Sequence, residues 1–196
     1  MSAAKKQSNR QSKPENIWLE NIKTLGLSLF LAFGIRTFIA EARYIPSGSM
    51  LPTLQIDDRL VIDKISYDFS EPKRGDIVVF NPTPTLKQDN YYGAFIKRVI
   101  GLPGDKVEIQ NGRVSVNNIP LRENYLEASS NYQWGPEIVP AESYLVLGDN
   151  RNDSYDSRYW GFVPRNNIIG KAVFRFWPLN RVGEIDRPVY VVKGIN

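Results

Sequence analysis

Apolar residues follow two rhythms along this chain. From Thr24 to Ala40 they run almost unbroken, 17 residues with a single charge, Arg36. At about 1.5 Å per residue that stretch covers about 25 Å, and Trp18 to Ala40 about 35 Å, enough for a helix to cross a bilayer core. Ahead of it, residues 1–16 are polar and basic, which predicts a cytoplasmic tail, with Trp18 and Lys23 at the inner interface and Arg36 near the outer end. The expected organisation is a tail over 1–16, a transmembrane helix over 17–42 and an extracytoplasmic domain over 43–196. Two other readings compete with a permanent anchor. A helix buried in a soluble domain would tolerate Arg36, and Ala40-Glu41-Ala42 has the form of a leader cleavage site, although the apolar run is long for a leader.

Beyond residue 45 the apolar positions turn to short β runs bounded by turn residues. Arg59–Ile65 alternates, Asp76–Phe80 and Ala94–Ile100 are β-branched and apolar, and Ser143–Leu147 and Ile168–Phe176 follow. Lys106–Gln110 and Arg113–Val116 flank Asn111-Gly112, a strong hairpin signal. No long amphipathic helix is evident here, and 83–92 reads as a loop. The fold class expected is mainly β: an all-β barrel or sandwich with a smaller β-rich lobe appended over about 105–140.

Composition narrows the chemistry. The chain has no histidine and no cysteine, so neither a Ser-His-Asp nor a Cys-His site can be built from it, and zinc sites of the usual kinds are excluded. The net charge of +4 sits mostly at the start, where residues 1–23 hold five basic and two acidic residues. The remainder carries 20 basic and 19 acidic residues, which argues against a nucleic-acid face.

Candidate chemistry centres on Ile45-Pro46-Ser47-Gly48-Ser49-Met50-Leu51-Pro52. Two prolines stiffen the loop, and Gly48 permits close backbone approach beside Ser49, the candidate nucleophile. The Ser49 hydroxyl and N–H and the Ser47 hydroxyl can then converge on one point. Without histidine, the base for Ser49 has to be a lysine or a carboxylate. Lys97 lies inside an apolar strand, on one face with Phe95 and Val99, ahead of the tight turn Gly101-Leu-Pro-Gly-Asp105. Burial lowers a lysine pKa, so a neutral Lys97 can take the Ser49 proton; an edge lysine facing solvent is the other possibility. In the polar loop 148–158, Asp156 and Arg158 can pair, and Ser154 can hold the lysine by a hydrogen bond. A calcium loop there fits poorly, because Arg151 stands at its third position and Trp160 at its twelfth.

Together these stretches resemble a known family, the type I (leader) signal peptidases, membrane-anchored Ser-Lys endopeptidases. The matching residues are Pro46–Met50 with Pro52-Thr-Leu54, Gly75–Phe80, Lys97–Asp105, Gly148–Arg151 with Ser154, Asp156-Ser-Arg158, and Trp160–Pro164, in the family's order. The likeness weakens across 106–147. The resemblance implies Ser49 as acyl-forming nucleophile, Lys97 as general base, and an oxyanion hole from the Ser49 N–H and the Ser47 hydroxyl. It further implies that Ser154 orients Lys97 and that Asp156 and Arg158 brace the site. Expected partners are signal peptides of exported preproteins, with small residues one and three positions before the cut, and the lipid bilayer of a plasma or thylakoid membrane. Ile45, Met50, Phe95 and Ile96 are the expected pocket linings. No cofactor, metal or nucleic acid is expected. From other classes, a self-cleaving Ser-Lys repressor and a non-catalytic anchored β module that binds peptides remain open; the S-x-x-K pairs at Ser2 and Ser70 lack the context of a penicillin-binding enzyme.

Overall fold

The computed structural model describes residues 17–34, 39–188 and 190. The tail over 1–16 and Arg36 lie outside the described residues. The chain forms two units, parting between Thr37 and Phe38. Helix α1, Ile17–Gly34, belongs to the first. Its early charges pair, Lys23 Nζ donating to Glu20 at 3.2 Å, and its later turns expose Leu25, Leu29, Phe30 and Phe33. Among the described residues no helix is long and apolar enough to cross a membrane. The far end of the expected helix is strand instead, since Ala40–Tyr44 form β1.

In the second unit β2 is Arg59–Asp63, followed by a short helix α2, Ser66–Phe69, and β3, Ile77–Phe80. Helix α3, Pro84–Gln88, occupies part of the segment read as loop; Thr83 caps it by accepting from the Leu86 N–H, and Pro84 opens it. Strand β4, Phe95–Gly101, leads into β5, Lys106–Gln110, β6, Arg113–Val116, β7, Ile119–Pro120, and β8, Trp134–Ile138. The chain closes with β9, Ser143–Leu147, a one-turn helix α4, Ser157–Trp160, then β10, Val163–Pro164, β11, Ile168–Trp177, and β12, Gly183–Glu184.

The larger sheet runs β1-β2-β11-β3-β4-β9-β10, with β12 beside β11, and its pairings are antiparallel. Register shifts along β11, between Ile168 and Gly170, Ala172 and Phe174, and Arg175 and Trp177, mark bulges that curl the sheet. The curl buries both faces of the central strands. Val78 and Phe80 pack with Val99, Val146 and Trp160, whereas Ile77 and Val79 pack with Ile45, Met50, Leu54, Leu60 and Ile62. A separate four-stranded sheet, β7-β6-β5-β8, lies within the segment expected to form the lobe, and its Val107, Ile109, Val114 and Val116 pack with Ile100, Leu145 and Leu147. The hairpin between β5 and β6 turns on Asn111 and Gly112, both at positive φ (49° and 79°), as a primed two-residue turn requires.

Candidate active site

The serine loop is held at both ends and from below. The Ile45 N–H donates to the Asp58 carbonyl at 2.9 Å, and the Leu51 N–H to the Gly48 carbonyl at 3.1 Å, winding Gly48–Met50 into a single 3-10 turn. From across the cleft the Asn150 N–H donates to the Ser49 carbonyl at 3.1 Å and its side-chain amide to the Gly48 carbonyl at 3.2 Å. Ser49 is thereby turned toward β4.

There Lys97 meets it: Nζ lies 2.8 Å from Ser49 Oγ and 3.0 Å from the Ile96 carbonyl it donates to, with the residue only 4% exposed. Burial draws the Lys97 ammonium down to about 8, against the opposing pull of the Asp156 and Asp149 carboxylates. At pH 7 about a tenth is therefore free amine, a share that rises with pH, and its lone pair can accept the Ser49 proton. Ser47 Oγ stands 3.4 Å from Ser49 Oγ, on the side open to solvent.

Of the sequence-derived residues, then, Ser49, Lys97 and Ser47 come together. Asp156 and Arg158 pair at 2.7 Å, and Asp156 also accepts from the Gly148 N–H at 3.0 Å, which ties the loop to the end of β9. Ser154 departs from expectation. Its hydroxyl is buried without a hydrogen-bond partner, and the two contacts of Lys97 Nζ go to Ser49 and Ile96. The pocket residues divide. Phe95 and Ile96 line a cleft of about 420 Å³ together with Pro46–Ser49, Tyr91, Lys97 and Tyr155. Ile45 and Met50, 2% and 0% exposed, do not line it; both side chains are buried in the core under β2 and β3.

A family model for signal peptidases, peptidase S26, matches residues 18–177. The chain belongs to this family. It is 63% identical to a signal peptidase I of Leptolyngbya laminosa over 180 residues, 91% of this chain and 89% of that one. A probable signal peptidase I-2 of Synechocystis sp. is 62% identical over 89% of this chain and 80% of its own. A probable thylakoidal processing peptidase 2 of Arabidopsis thaliana is 41% identical over 87% of this chain and 47% of that longer one. The chain is thus a serine endopeptidase of the signal peptidase I type.

Sequence reasoning assigned no role to Arg98 and Asp149, which form a buried charged pair of this signal peptidase next to Lys97. Arg98 Nε and Nη2 donate to Asp149 at 2.8 and 2.6 Å, with the two side chains 1% and 0% exposed, and Thr53 Oγ1 donates to the same carboxylate at 2.6 Å. A second guanidinium, Arg151, grips Glu123 at 2.8 and 2.5 Å. The available signal was an arginine inside an apolar strand, which demands a buried anion somewhere in the chain. Replacing Arg98 by Ala leaves Asp149 buried and unpaired, so chemical denaturation is expected to show a loss of about 3–5 kcal/mol.

Proposed function

We propose that this signal peptidase cuts exported preproteins with Ser49 as nucleophile and Lys97 as general base, and that an N-terminal segment including α1 anchors it in the membrane. The observation that carries the reading is the 2.8 Å approach of Lys97 Nζ to Ser49 Oγ at a buried site where the amine form is accessible.

The substrate would enter as an extra strand. On one edge β4 pairs with β3 from Phe95 to Arg98, but on the other it meets β9 only from Arg98 onward. The outer edge of Phe95–Lys97 therefore has no sheet partner among the described residues, and it faces the cleft bounded by Pro46–Ser49. An extended peptide laid there shows alternate side chains to the same wall, which accounts for paired small residues one and three positions before the cut.

In the chemical step the Ser49 O–H bond breaks as its oxygen bonds to the scissile carbonyl carbon, and the proton passes to the Lys97 amine. Charge develops on the carbonyl oxygen, where the Ser49 N–H and the Ser47 hydroxyl donate. Collapse breaks the C–N bond, and the Lys97 ammonium returns its proton to the leaving amine. Water then attacks the acyl-Ser49 ester while its proton passes to Lys97; collapse breaks the C–Oγ bond, Lys97 returns that proton to Ser49 Oγ, and the product acid leaves, giving up its own proton to solvent as the carboxylate. No cofactor enters.

The placement proposed is single-pass, with the tail over 1–16 cytoplasmic and the β unit on the far side of a plasma or thylakoid membrane. The apolar run Thr24–Ala40 supports it, as do relatives described as thylakoidal processing peptidases. Detergent-solubilised full-length protein is expected to cut a precursor bearing an A-x-A site, with the new terminus read by mass spectrometry. Ser49→Ala is expected to abolish that product, and Ser47→Ala to slow kcat by about 10²–10³-fold, the usual cost of one oxyanion donor. A Ser49→Ala protein that still cuts at the same bond would refute the assignment.

A further inference from the structure

We propose that Tyr125, delivered by the segment that follows β7, is a positioning residue for Lys97, acting through the Arg98–Asp149 pair. The proposal rests on the Ser-Lys reading above and adds a part of the chain remote from every motif that led to it.

The geometry is a relay. The Arg98 guanidinium lies 4.1 Å from the Tyr125 ring centroid, stacked on its face, while its nitrogens hold Asp149 on one side and the Gly75 carbonyl, at 2.8 Å, on another. The Tyr125 hydroxyl donates to Glu123 at 2.7 Å, meets Tyr190 Oη at 2.8 Å and accepts from Arg151 Nη2 at 3.3 Å. Arg151 belongs to the same loop as Asp149 and Asn150, the residue that grips the Ser49 and Gly48 carbonyls. One ring therefore covers the Arg98 guanidinium on one side and joins the lobe segment, the C-terminal segment and the catalytic loop. Planar cation stacking of this kind fixes a guanidinium without adding charge.

The charged and titratable groups around Lys97 show what the relay controls. Asp149 and Asp156 face it from the 148–158 loop, each neutralised by its own arginine, Arg98 and Arg158, while Glu123 is neutralised by Arg151. Burial beside Glu123 holds the Tyr125 phenol above its ordinary range, and burial pushes Tyr190 up to about 12, so neither ionises where Lys97 does. When the ring is lost, the Arg98 guanidinium is no longer fixed against Asp149, so Asp149 is less neutralised and pulls harder on Lys97, and the Lys97 amine is less desolvated. Both effects favour the ammonium and shift activity to higher pH.

The test is the pH profile of kcat/KM for an A-x-A precursor, from pH 6 to 10, using full-length protein in detergent. In Tyr125→Leu the ascending limb is expected to move up by about half a pH unit, with kcat reduced at pH 7.5 by about threefold and KM within twofold. Tyr125→Phe keeps the ring and is expected to stay with the parent. Glu123→Gln is expected to move the limb the other way, because an unbalanced Arg151 cation offsets Asp149. Tyr125→Met, which fills the site without a ring, is expected to shift as Tyr125→Leu does and decides the matter should Tyr125→Leu not fold. A melting temperature that falls while the limb stays put, in either Tyr125→Leu or Tyr125→Met, overturns the positioning role. Failure of the underlying reading looks different: the parent enzyme itself would show no limb near pH 8.

Discussion

Lys97→Met is expected to lower kcat/KM on a preprotein by about 10²–10⁴-fold, the usual contribution of a positioned general base. Methionine matches the length and apolar stem of lysine but has no titratable group, so the loss reports proton transfer rather than packing. The parent enzyme supplies the companion measurement. The proposed base works as the free amine, and burial brings that group down to about 8, so activity is expected to rise with pH through that value and to fall about tenfold per unit below it. The Met variant loses the limb along with the rate. Its fold is expected to survive. A lysine whose pKa is depressed in the folded state carries its full burial penalty below the folded pKa and sheds it as pH rises toward the unfolded value. At pH 7 the apolar replacement therefore removes a cost of about 3 kcal/mol. A Met variant as active as the parent, or a parent whose rate is flat between pH 6 and 9, would exclude Lys97 as the base.

The approach of Lys97 to Ser49 was legible because each residue breaks a local rule. A loop with prolines at 46 and 52 around two serines is stiffer than a connection needs to be, and a lysine between Ile96 and Val99 in a strand is costly unless it works. Absence of histidine then left few candidates to pair. The Arg98–Asp149 pair stayed hidden for the opposite reason. Period-two alternation puts Arg98 on the face opposite Lys97, with Ile96 and Ile100, and nothing local says what that face meets. The curl of the sheet packs β4 on both sides, and Arg98 finds its anion 51 residues away. No local pattern carries that pairing.

Element boundaries failed where tertiary pairing outweighs local preference. Ala40–Tyr44 continues an apolar run and reads as its end, yet Ala40 to Tyr44 pair residue by residue with Asp63 to Arg59. Ile45 and Met50 flank the nucleophile in sequence and were expected in the pocket; the 3-10 turn at Gly48–Met50 sends Met50 inward, and the core takes both. Helix α3 was missed, since 83–92 reads as a loop: Thr83-Pro84, a cap followed by proline at the first helical position, was outweighed by the density of turn formers around it. The lobe strands around Asn111-Gly112 needed no tertiary knowledge, because the turn alone fixes their register.

Gly148→Ala is expected to disable the enzyme without touching either member of the dyad. Gly148 follows β9, and a Cβ built there would collide with Ser154 Oγ and with the backbone carbonyl of Ser49. The Ser154 hydroxyl can rotate but its Cβ, also in collision, cannot, and the Ser49 carbonyl cannot yield freely, since it is held by the Asn150 N–H at 3.1 Å and its neighbour Gly48 by the Asn150 amide at 3.2 Å. Nor can Gly148 retreat while its own N–H donates to Asp156 at 3.0 Å. The strain therefore falls on the Ser154 loop and on the turn that carries Ser49, whose Oγ must stay within reach of Lys97 Nζ. A displacement of order 1 Å at a reacting atom costs about 10²-fold in rate, and overpacking of this kind costs about 1–3 kcal/mol in stability. Gly183→Ala, where a Cβ meets nothing within 4 Å, is the matched control and is expected to leave both quantities unchanged. Should Gly148→Ala keep the parent's kcat, the serine turn would have to be free to move. The close approach of the β9 end to Ser49 would then not be what aims the nucleophile.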